Sequence, residues 1–204
     1  MPDVKGRDQV GGGDADPPDL AVRIRERDPR TIQEVVRVYL PQILRAARGA
    51  GLEGHLAEDV TQSTFGTFVE TAPRFEGRSR VRTWLFGILY RKIAEARRRL
   101  QRDGQMDDID GVFEQQFNSS GGWTRPPRPV DADVYAAEVR QGIEGCLDGV
   151  PTNQRMAFVL REVQEMDTEE ICKILEVTRT NLGVLLHRAR ARLRTCLENK
   201  GIRG

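Results

Sequence analysis

The sequence has few of the residues from which catalytic and metal sites are built. Among its 204 residues there are two histidines, His55 and His187, and three cysteines. An active site needs acid, base or nucleophilic groups that converge on one place. No such set is visible along the chain, so we expect a protein that is not an enzyme and that carries neither a metal nor a cofactor.

The three cysteines are Cys146, Cys172 and Cys196, which are odd in number, far apart and in no CxxC spacing. That usage is more typical of a reducing compartment than of a disulfide scaffold. Cys172 and Cys196 fall at apolar helix positions. We therefore expect reduced thiols, with these two serving as small core residues.

Net charge and long apolar runs are also lacking. The chain has 32 lysines and arginines against 31 aspartates and glutamates, so its net charge indicates no particular partner. The first residues, "MPDVKGRDQVGGGDADPPD", are polar and glycine-rich and do not form a leader. No apolar run is long enough for a bilayer span. We expect a cytoplasmic protein with no membrane insertion.

The first half of the chain has the apolar spacing of helices almost throughout residues 19–102. Asp28-Pro29 separates a short first helix from a second, which Pro41 is expected to break or kink. A third helix is predicted from Leu56 to Thr71. A fourth, "RVRTWLFGILYRKIAEARRRL", has an apolar stripe suited to a core. The stripe contains Val81, Trp84, Leu85, Ile88, Leu89 and Ile93.

Residues 103–133 have the composition of a linker, being first acidic, then Gly/Ser-rich and then Pro-rich. Helical spacing resumes over residues 134–199. We therefore predict an all-α protein in which two small helical domains, residues 19–102 and 134–199, are joined by a flexible linker. Residues 1–18 are predicted to be a disordered tail, and residues 200–204 a short second tail.

The second predicted domain contains the signals of a helix-turn-helix. Asp167 and Glu170 have the spacing of a capping box that opens "EEICKILEV", and Thr178 is a good N-cap for "RTNLGVLLHRARARLRTCL". Two helices joined by such a short turn form the motif whose second helix enters the DNA major groove.

On a helical projection, the second of these helices has two different faces. Most of its leucines, with Ala189 and Cys196, share one face and are expected to pack in a core. Its opposite face carries small or polar residues flanked by arginines, which suits a groove and its phosphates. That face contains Val184, His187, Ala191 and Thr195. A solvent-exposed face on an ordinary helical hairpin explains the spacing equally well.

Two long segments resemble one family. "LDGVPTNQRMAFVLREVQEMDTEEICKILEVTRTNLGVLLHRARARLRTCL" closely resembles region 4 of bacterial sigma factors of the extracytoplasmic-function group, and "AEDVTQSTFGTFVETAPRFEGRSRVRTWLFGILYRKIAEARRR" resembles region 2. The resemblance implies a dissociable subunit of core RNA polymerase that directs promoter-specific initiation, for a stress or envelope-signal regulon. Region 4 would bind the minus-35 element and region 2 would melt the minus-10 element. Such factors are usually held inactive by an anti-sigma protein.

The resemblance also implies which residues act. The minus-35 contacts fall on Arg179, Thr180, Asn181, Val184, His187 and Arg188. The minus-10 contacts fall on Arg74, Phe75, Arg78, Ser79, Arg80, Arg82 and Arg91. The polymerase contacts fall on Glu58, Asp59, Gln62 and Phe65. An unstacked base needs a platform, for which the Phe75 ring is suited, although it is also suited to closing the core.

The sequence departs from the family pattern at several positions. Glu176 stands where the family often has a glycine in a left-handed conformation, so the turn either differs or carries a cost of about 1 kcal/mol. Gly183 and Leu185 stand where lysine and arginine are common, which removes two cationic contacts. Gly87 is expected to loosen the fourth helix by up to about 1 kcal/mol relative to alanine.

Two alternatives remain beside a sigma factor. A stand-alone helix-turn-helix regulator explains residues 134–199 but leaves "RFEGRSRVRTWL" without a purpose. A membrane-surface or protein-interaction module would use Trp84, Phe86 and the arginine run on an anionic surface. The fourth helix needs its apolar stripe for a core, which disfavours that second alternative.

Overall fold

A computed structural model of the protein describes residues 16–102, 143 and 145–201. Every regular element in these ranges is a helix, which confirms the all-α class. The elements are α1 (Leu20–Arg25), α2 (Pro29–Gly49), α3 (Gly54–Thr71), a 3-10 turn (Ala72–Arg74), α4 (Val81–Arg102), α5 (Thr152–Phe158), a π-helical turn (Val159–Val163), α6 (Thr168–Leu175) and α7 (Arg179–Asn199). The predicted linker, residues 103–133, lies outside the described residues, as does most of each predicted tail.

Helix α2 begins where the sequence predicts. The Asp28 carboxylate accepts hydrogen bonds from the backbone N–H of Thr31 at 2.8 Å and from its hydroxyl at 2.7 Å, and these bonds lower the pKa of Asp28. Of the break or kink predicted at Pro41, the break does not occur, since the helix runs through the proline to Gly49. Tyr39 and Ile43, on either side of the proline, are both buried and hold the two halves against one core.

Helix α4 is buried on more than its predicted stripe. Val81, Leu85, Ile88, Leu89 and Ile93 are at most 5% exposed, which confirms the stripe as core, and Trp84 packs against it. Thr83 and Phe86 lie off the stripe and are buried too. Thr83 is covered because α6 packs against α4, and its hydroxyl donates to Glu170 of α6, a contact that helical periodicity does not reveal.

One hydrophobic core joins the two helical units. It runs from Leu20 on α1 through α2, α3 and α4, and includes Met156, Leu160 and Ile171 from the second unit. A smaller cluster contains Leu147, Val150, Ala189 and Leu193. The two predicted units are present, but they are packed against each other.

Cys146 and Cys196 form a disulfide, and Cys172 is free and half-buried. The expectation of three reduced cysteines is therefore wrong for two of them. Helix α7 runs back past helical residues 145–147, which brings Cys196 to Cys146 across 50 residues of sequence. Sequence spacing carries no signal of such a long-range pairing.

Candidate nucleic-acid interface

The helix-turn-helix is built by local capping. The Asp167 carboxylate accepts from the backbone N–H of Glu170 at 2.7 Å and starts α6. At the other end, Glu176 takes the left-handed conformation, with φ 57° and ψ 42°, and the Val177 N–H donates to the Cys172 carbonyl at 3.1 Å. The turn therefore keeps its left-handed geometry, at a cost of about 1 kcal/mol relative to glycine.

The second helix begins as predicted. The Thr178 hydroxyl accepts from the Asn181 N–H at 3.2 Å, and α7 starts at Arg179. Leu182 and Leu186 are buried in the main core, while Leu193 is buried in the smaller cluster. This confirms that most leucines of the helix pack inward and fixes which face of α7 is available to a ligand.

The available face is the N-terminal half of α7. Four of the residues expected to contact the minus-35 element are exposed, namely Arg179, Thr180, Asn181 and Arg188. Val184 is 43% exposed, which is unusual for a large aliphatic side chain, and His187 is half-buried. Exposed small and amide groups beside guanidinium groups can contact both base edges and phosphates.

The groove-facing strip is shorter than the sequence predicts. Ala191 is 5% exposed, so the interpretation of this residue as groove-facing is wrong, whereas Thr195 is half-buried, as is His187. Helix α5 packs along α7, which the helical projection of α7 alone does not take into account. The candidate DNA surface therefore ends near Arg188.

The aromatic residue of the candidate minus-10 segment is in the core. Phe75 is 5% exposed, and its ring stacks on Trp84 with centroids 4.6 Å apart. Phe68 meets the same indole edge-on at 5.4 Å. The interpretation of Phe75 as a platform for a base is therefore replaced by its alternative, a core aromatic. The three rings attach the segment to α3 and α4.

The segment between the 3-10 turn and α4 presents charge to solvent. Arg74 and Arg78 are exposed and Ser79 is half-buried. The Arg78 guanidinium pairs with the Glu76 carboxylate within the segment. The Asp16 carboxylate accepts from the Val81 N–H at 2.7 Å, so a residue from before α1 caps α4.

The other three cations of this set contact the second unit. Arg80 lies 3.8 Å from the carboxylate of Glu170, and Arg91 lies 3.0 Å from that of Glu176. Arg82 donates to the Gln164 carbonyl oxygen. Sequence reasoning missed these contacts because each joins residues more than 80 positions apart.

Glu170 departs from the predicted capping box. Its backbone N–H is capped by Asp167, but its carboxylate accepts from the Thr83 hydroxyl on α4 at 2.8 Å. The residue is 8% exposed. A buried carboxylate needs hydrogen-bond donors or a cation, and the α4 end of the interface supplies both.

The predicted polymerase-contacting residues divide into two groups. Glu58, Asp59 and Gln62 are exposed along α3. Phe65 is 8% exposed and belongs to the hydrophobic core, so its ring packs inside the first helical unit and is not presented at the surface of this structure. Phe65 lies on the inner face of α3, and its packing holds the exposed Glu58, Asp59 and Gln62 in position.

Two buried arginines lie beside the C-terminus of α2, and neither is predicted by residue spacing. Arg155 donates to the Gly49 carbonyl and lies 3.0 Å from the Asp148 carboxylate, while Arg97 donates to the Ala50 carbonyl at 2.6 Å. Burial lowers the pKa of both guanidinium groups. Both carbonyls lie at a helix C-terminus, where positive charge is stabilising.

Other kinds of site are not seen in the ranges described above. Those residues contain no helix long and apolar enough to cross a membrane. They also contain no cluster of histidine, cysteine, aspartate and glutamate suited to a metal. Within those residues, the surface whose exposure and positive charge suit a nucleic acid is the exposed half of α7 together with the cationic residues around the start of α4.

Comparison with known sequences matches both helical units to family models. Residues 35–103 match the family model for sigma-70 region 2, and residues 140–193 match that for sigma-70 region 4. The chain is 31% identical over 167 residues to a probable RNA polymerase sigma factor of Haemophilus influenzae, covering 78% of this chain and 86% of the relative. It is 25% identical over 173 residues to the sigma factor SigM of Bacillus subtilis, covering 84% and 98%.

Solved structures share the fold. CnrH in complex with the cytosolic domain of CnrY superposes with a TM-score of 0.63 at 21% identity, covering 88% of this chain and 96% of that one. The sigma factor RpoE in complex with the anti-sigma factor NepR, from Bartonella quintana, superposes with a TM-score of 0.60 at 24% identity, covering 81% and 96%.

Proposed function

Because the chain belongs to the extracytoplasmic-function group of the sigma-70 family of RNA polymerase sigma factors, we propose that it binds core RNA polymerase and promoter DNA and acts in the cytoplasm. Residues 19–102 serve as region 2 and residues 134–199 as region 4. Phosphodiester chemistry belongs to the polymerase, so the chain needs no catalytic residue. The observation that carries the proposal is the exposed N-terminal half of α7, presented by a helix-turn-helix.

Region 4 contacts the minus-35 element with the exposed end of α7. Asn181 offers an amide that can pair with a base edge, and Arg179 and Arg188 reach bases or phosphates. Val184 offers an apolar contact, for which a thymine methyl is a fitting partner. Gly183 presents no side chain, so phosphate contacts come from fewer cations than is common in the family, and binding depends more on base contacts.

Region 2 contacts the minus-10 element with cations rather than with Phe75. Arg74, Arg78, Arg80 and Arg91 are exposed and Arg82 is half-buried, and the last three contact the second unit in this structure. Strand opening needs cationic contacts that follow the backbone of the separated strand. Ser79 adds a hydrogen-bonding hydroxyl beside them.

An anti-sigma protein is the remaining partner. The two solved structures compared above are complexes, one with the cytosolic domain of CnrY and one with the anti-sigma factor NepR. Such a partner would link the factor to a stress or envelope signal.

A run-off transcription assay tests the function directly. Adding the purified chain to sigma-free core polymerase is expected to give defined transcripts from fragments of its own genome. The same fragments with core polymerase alone serve as the control. If no fragment supports a transcript and core polymerase does not co-purify with the chain, the function is not that of a sigma factor.

Charge reversal on α3 is expected to weaken polymerase binding. Asp59→Arg places a cation on an exposed face that we assign to the polymerase, so the affinity for core enzyme should fall at least tenfold while the helical circular dichroism stays unchanged. Asp19→Arg, at an exposed position before α1, is the matched charge control. Equal affinity of the two variants for core polymerase would contradict the docking assignment.

The two DNA surfaces are expected to act at different steps. Arg188→Ala should weaken binding to duplex minus-35 DNA by about 1–3 kcal/mol, whereas Arg82→Ala should reduce promoter opening more than duplex binding. Opening is measured by permanganate reactivity of unpaired thymines, and binding by gel shift. Arg30→Ala, at an exposed position on α2, serves as the control. If Arg188→Ala and Arg82→Ala impair duplex binding and promoter opening equally, the two surfaces do not have separate roles in these steps.

A further inference from the structure

We propose that the free chain is autoinhibited: α5 and α6 of region 4 dock on α2 and α4 of region 2 and occupy the cations that region 2 would use on single-stranded DNA. This inference rests on the proposed function, since it concerns the regulation of the same DNA surface. It describes a contact within one chain and needs no anti-sigma protein.

The first support is the shared apolar core. Met156, Leu160 and Met166 are at most 1% exposed, and Met156 and Leu160 lie in the same cluster as Ile43 of α2 and Leu89 of α4. Soluble proteins seldom leave a contiguous apolar face uncovered. The docking of the two units therefore buries apolar surface that each would otherwise expose.

The second support is a pair of arginine contacts, from Arg155 and Arg97, at the C-terminus of α2. The Arg155 side chain is 4% exposed and reaches from α5 to the Gly49 carbonyl of region 2, where Arg97 binds the next carbonyl. Gly51 makes room for this arrangement. It has φ +84°, and a Cβ added there would overlap Nη1 of Arg155 and lie 2.7 Å from Nη2 of Arg97.

The third support is the set of ion pairs at the other end of the interface. Glu170 accepts from Thr83 and lies near Arg80, and Glu176 pairs with Arg91. The Arg91 pair is exposed and adds little stability, but its carboxylate stands where a phosphate would bind. Region 4 thus places two carboxylates among the minus-10 cations.

Promoter geometry requires this contact to open. Elements centred at minus 10 and minus 35 are about 25 base pairs apart, roughly 85 Å at 3.4 Å per base pair. Two units in direct contact cannot span that distance. The stretch 103–142 is long enough to permit it, because its residues extend to about 130 Å at 3.3 Å each. The α7 contacts stay exposed in the closed form, so inhibition falls on region 2.

The experiment uses the free full-length chain and two matched pairs of variants. Gly51→Ala displaces the guanidinium groups of Arg155 and Arg97. Gly54→Ala is its control, because Gly54 also has positive φ (+51°) but has nothing within 4 Å of an added Cβ. Glu176→Lys places a cation beside Arg91, and Glu198→Lys, at the exposed end of α7, makes the same charge change away from region 2.

Three quantities are measured for each variant. They are the radius of gyration by small-angle X-ray scattering, the affinity for a single-stranded minus-10 oligonucleotide, and the affinity for a minus-35 duplex. Both DNA probes come from a promoter fragment that supports run-off transcription. For Gly51→Ala and Glu176→Lys, we expect a larger radius and about tenfold tighter single-strand binding than in their controls, with duplex binding unchanged by Gly51→Ala. A tenfold gain corresponds to a closed population of about nine-tenths in the wild type.

The outcomes separate the two proposals. If Gly51→Ala and Glu176→Lys have the radius and single-strand affinity of their controls, the closed state does not regulate the chain and the inference is overturned. If their radius increases while no genomic fragment supports run-off transcription, closure is supported and the proposed function fails, because the radius is measured without DNA. If single-strand affinity rises equally in Glu176→Lys and Glu198→Lys, the gain is nonspecific charge and counts against the inference.

Discussion

Reduction of the Cys146–Cys196 disulfide is expected to lower the free energy of unfolding of the helix-turn-helix unit by about 4 kcal/mol. This is the entropic free energy, at 25 °C, of closing a loop of about 50 residues in the unfolded chain. The loop contains α5, α6 and most of α7, so the crosslink restricts the unfolded state of the whole unit. Urea unfolding followed by circular dichroism, with and without dithiothreitol, measures the difference.

Two serine variants make the disulfide experiment specific. Cys146→Ser should unfold in oxidising buffer at the urea concentration at which the reduced wild type unfolds. Cys172→Ser retains the pair and should keep the full response to dithiothreitol, because Cys172 is the free thiol. If the oxidised and reduced wild type unfold together, the disulfide does not stabilise this unit. If they unfold separately, the stability of this unit depends on the redox state of the Cys146–Cys196 pair.

Local signals made the helix-turn-helix predictable. Asp167 and Thr178 were identified as N-caps from residue type and position alone, and both carboxylate and hydroxyl accept the expected backbone N–H. Leu182 and Leu186 were placed in the core by helical spacing, and both are buried. Capping and amphipathic spacing act within a few residues, so a single sequence contains the information needed.

Contacts between distant segments were not predictable in the same way. The Glu170 carboxylate fits a capping box in sequence, yet it binds Thr83, which is 87 positions away. A helical projection of α7 alone places Ala191 on the groove face, because it contains no information on the packing of α5 along that helix. Period and composition place a residue on a face but do not say which other helix covers that face.

Phe75 has two possible roles from the sequence. The family resemblance suggests a platform for a base, and an apolar ring at this position is also suited to the core. Its packing favours the core role. As a core aromatic stacked on Trp84, Phe75→Ala should lower the free energy of unfolding of region 2 by about 3–5 kcal/mol. The loss includes both the buried ring area and the cavity left beside the indole. Chemical unfolding, followed by the fluorescence of Trp84 against a Trp123→Phe background, measures it.

The conservative variant Phe75→Leu separates packing from base stacking. Leucine refills much of the space, so a core role predicts that Phe75→Leu keeps most of the stability and promoter opening that Phe75→Ala loses. A base platform predicts the opposite, because leucine has no π face on which a base can stack. Opening that is lost in Phe75→Leu with stability retained would return the ring to the DNA surface. If promoter opening changes in parallel with the free energy of unfolding in both variants, Phe75 acts through packing. The DNA contacts of region 2 are then made by its arginines.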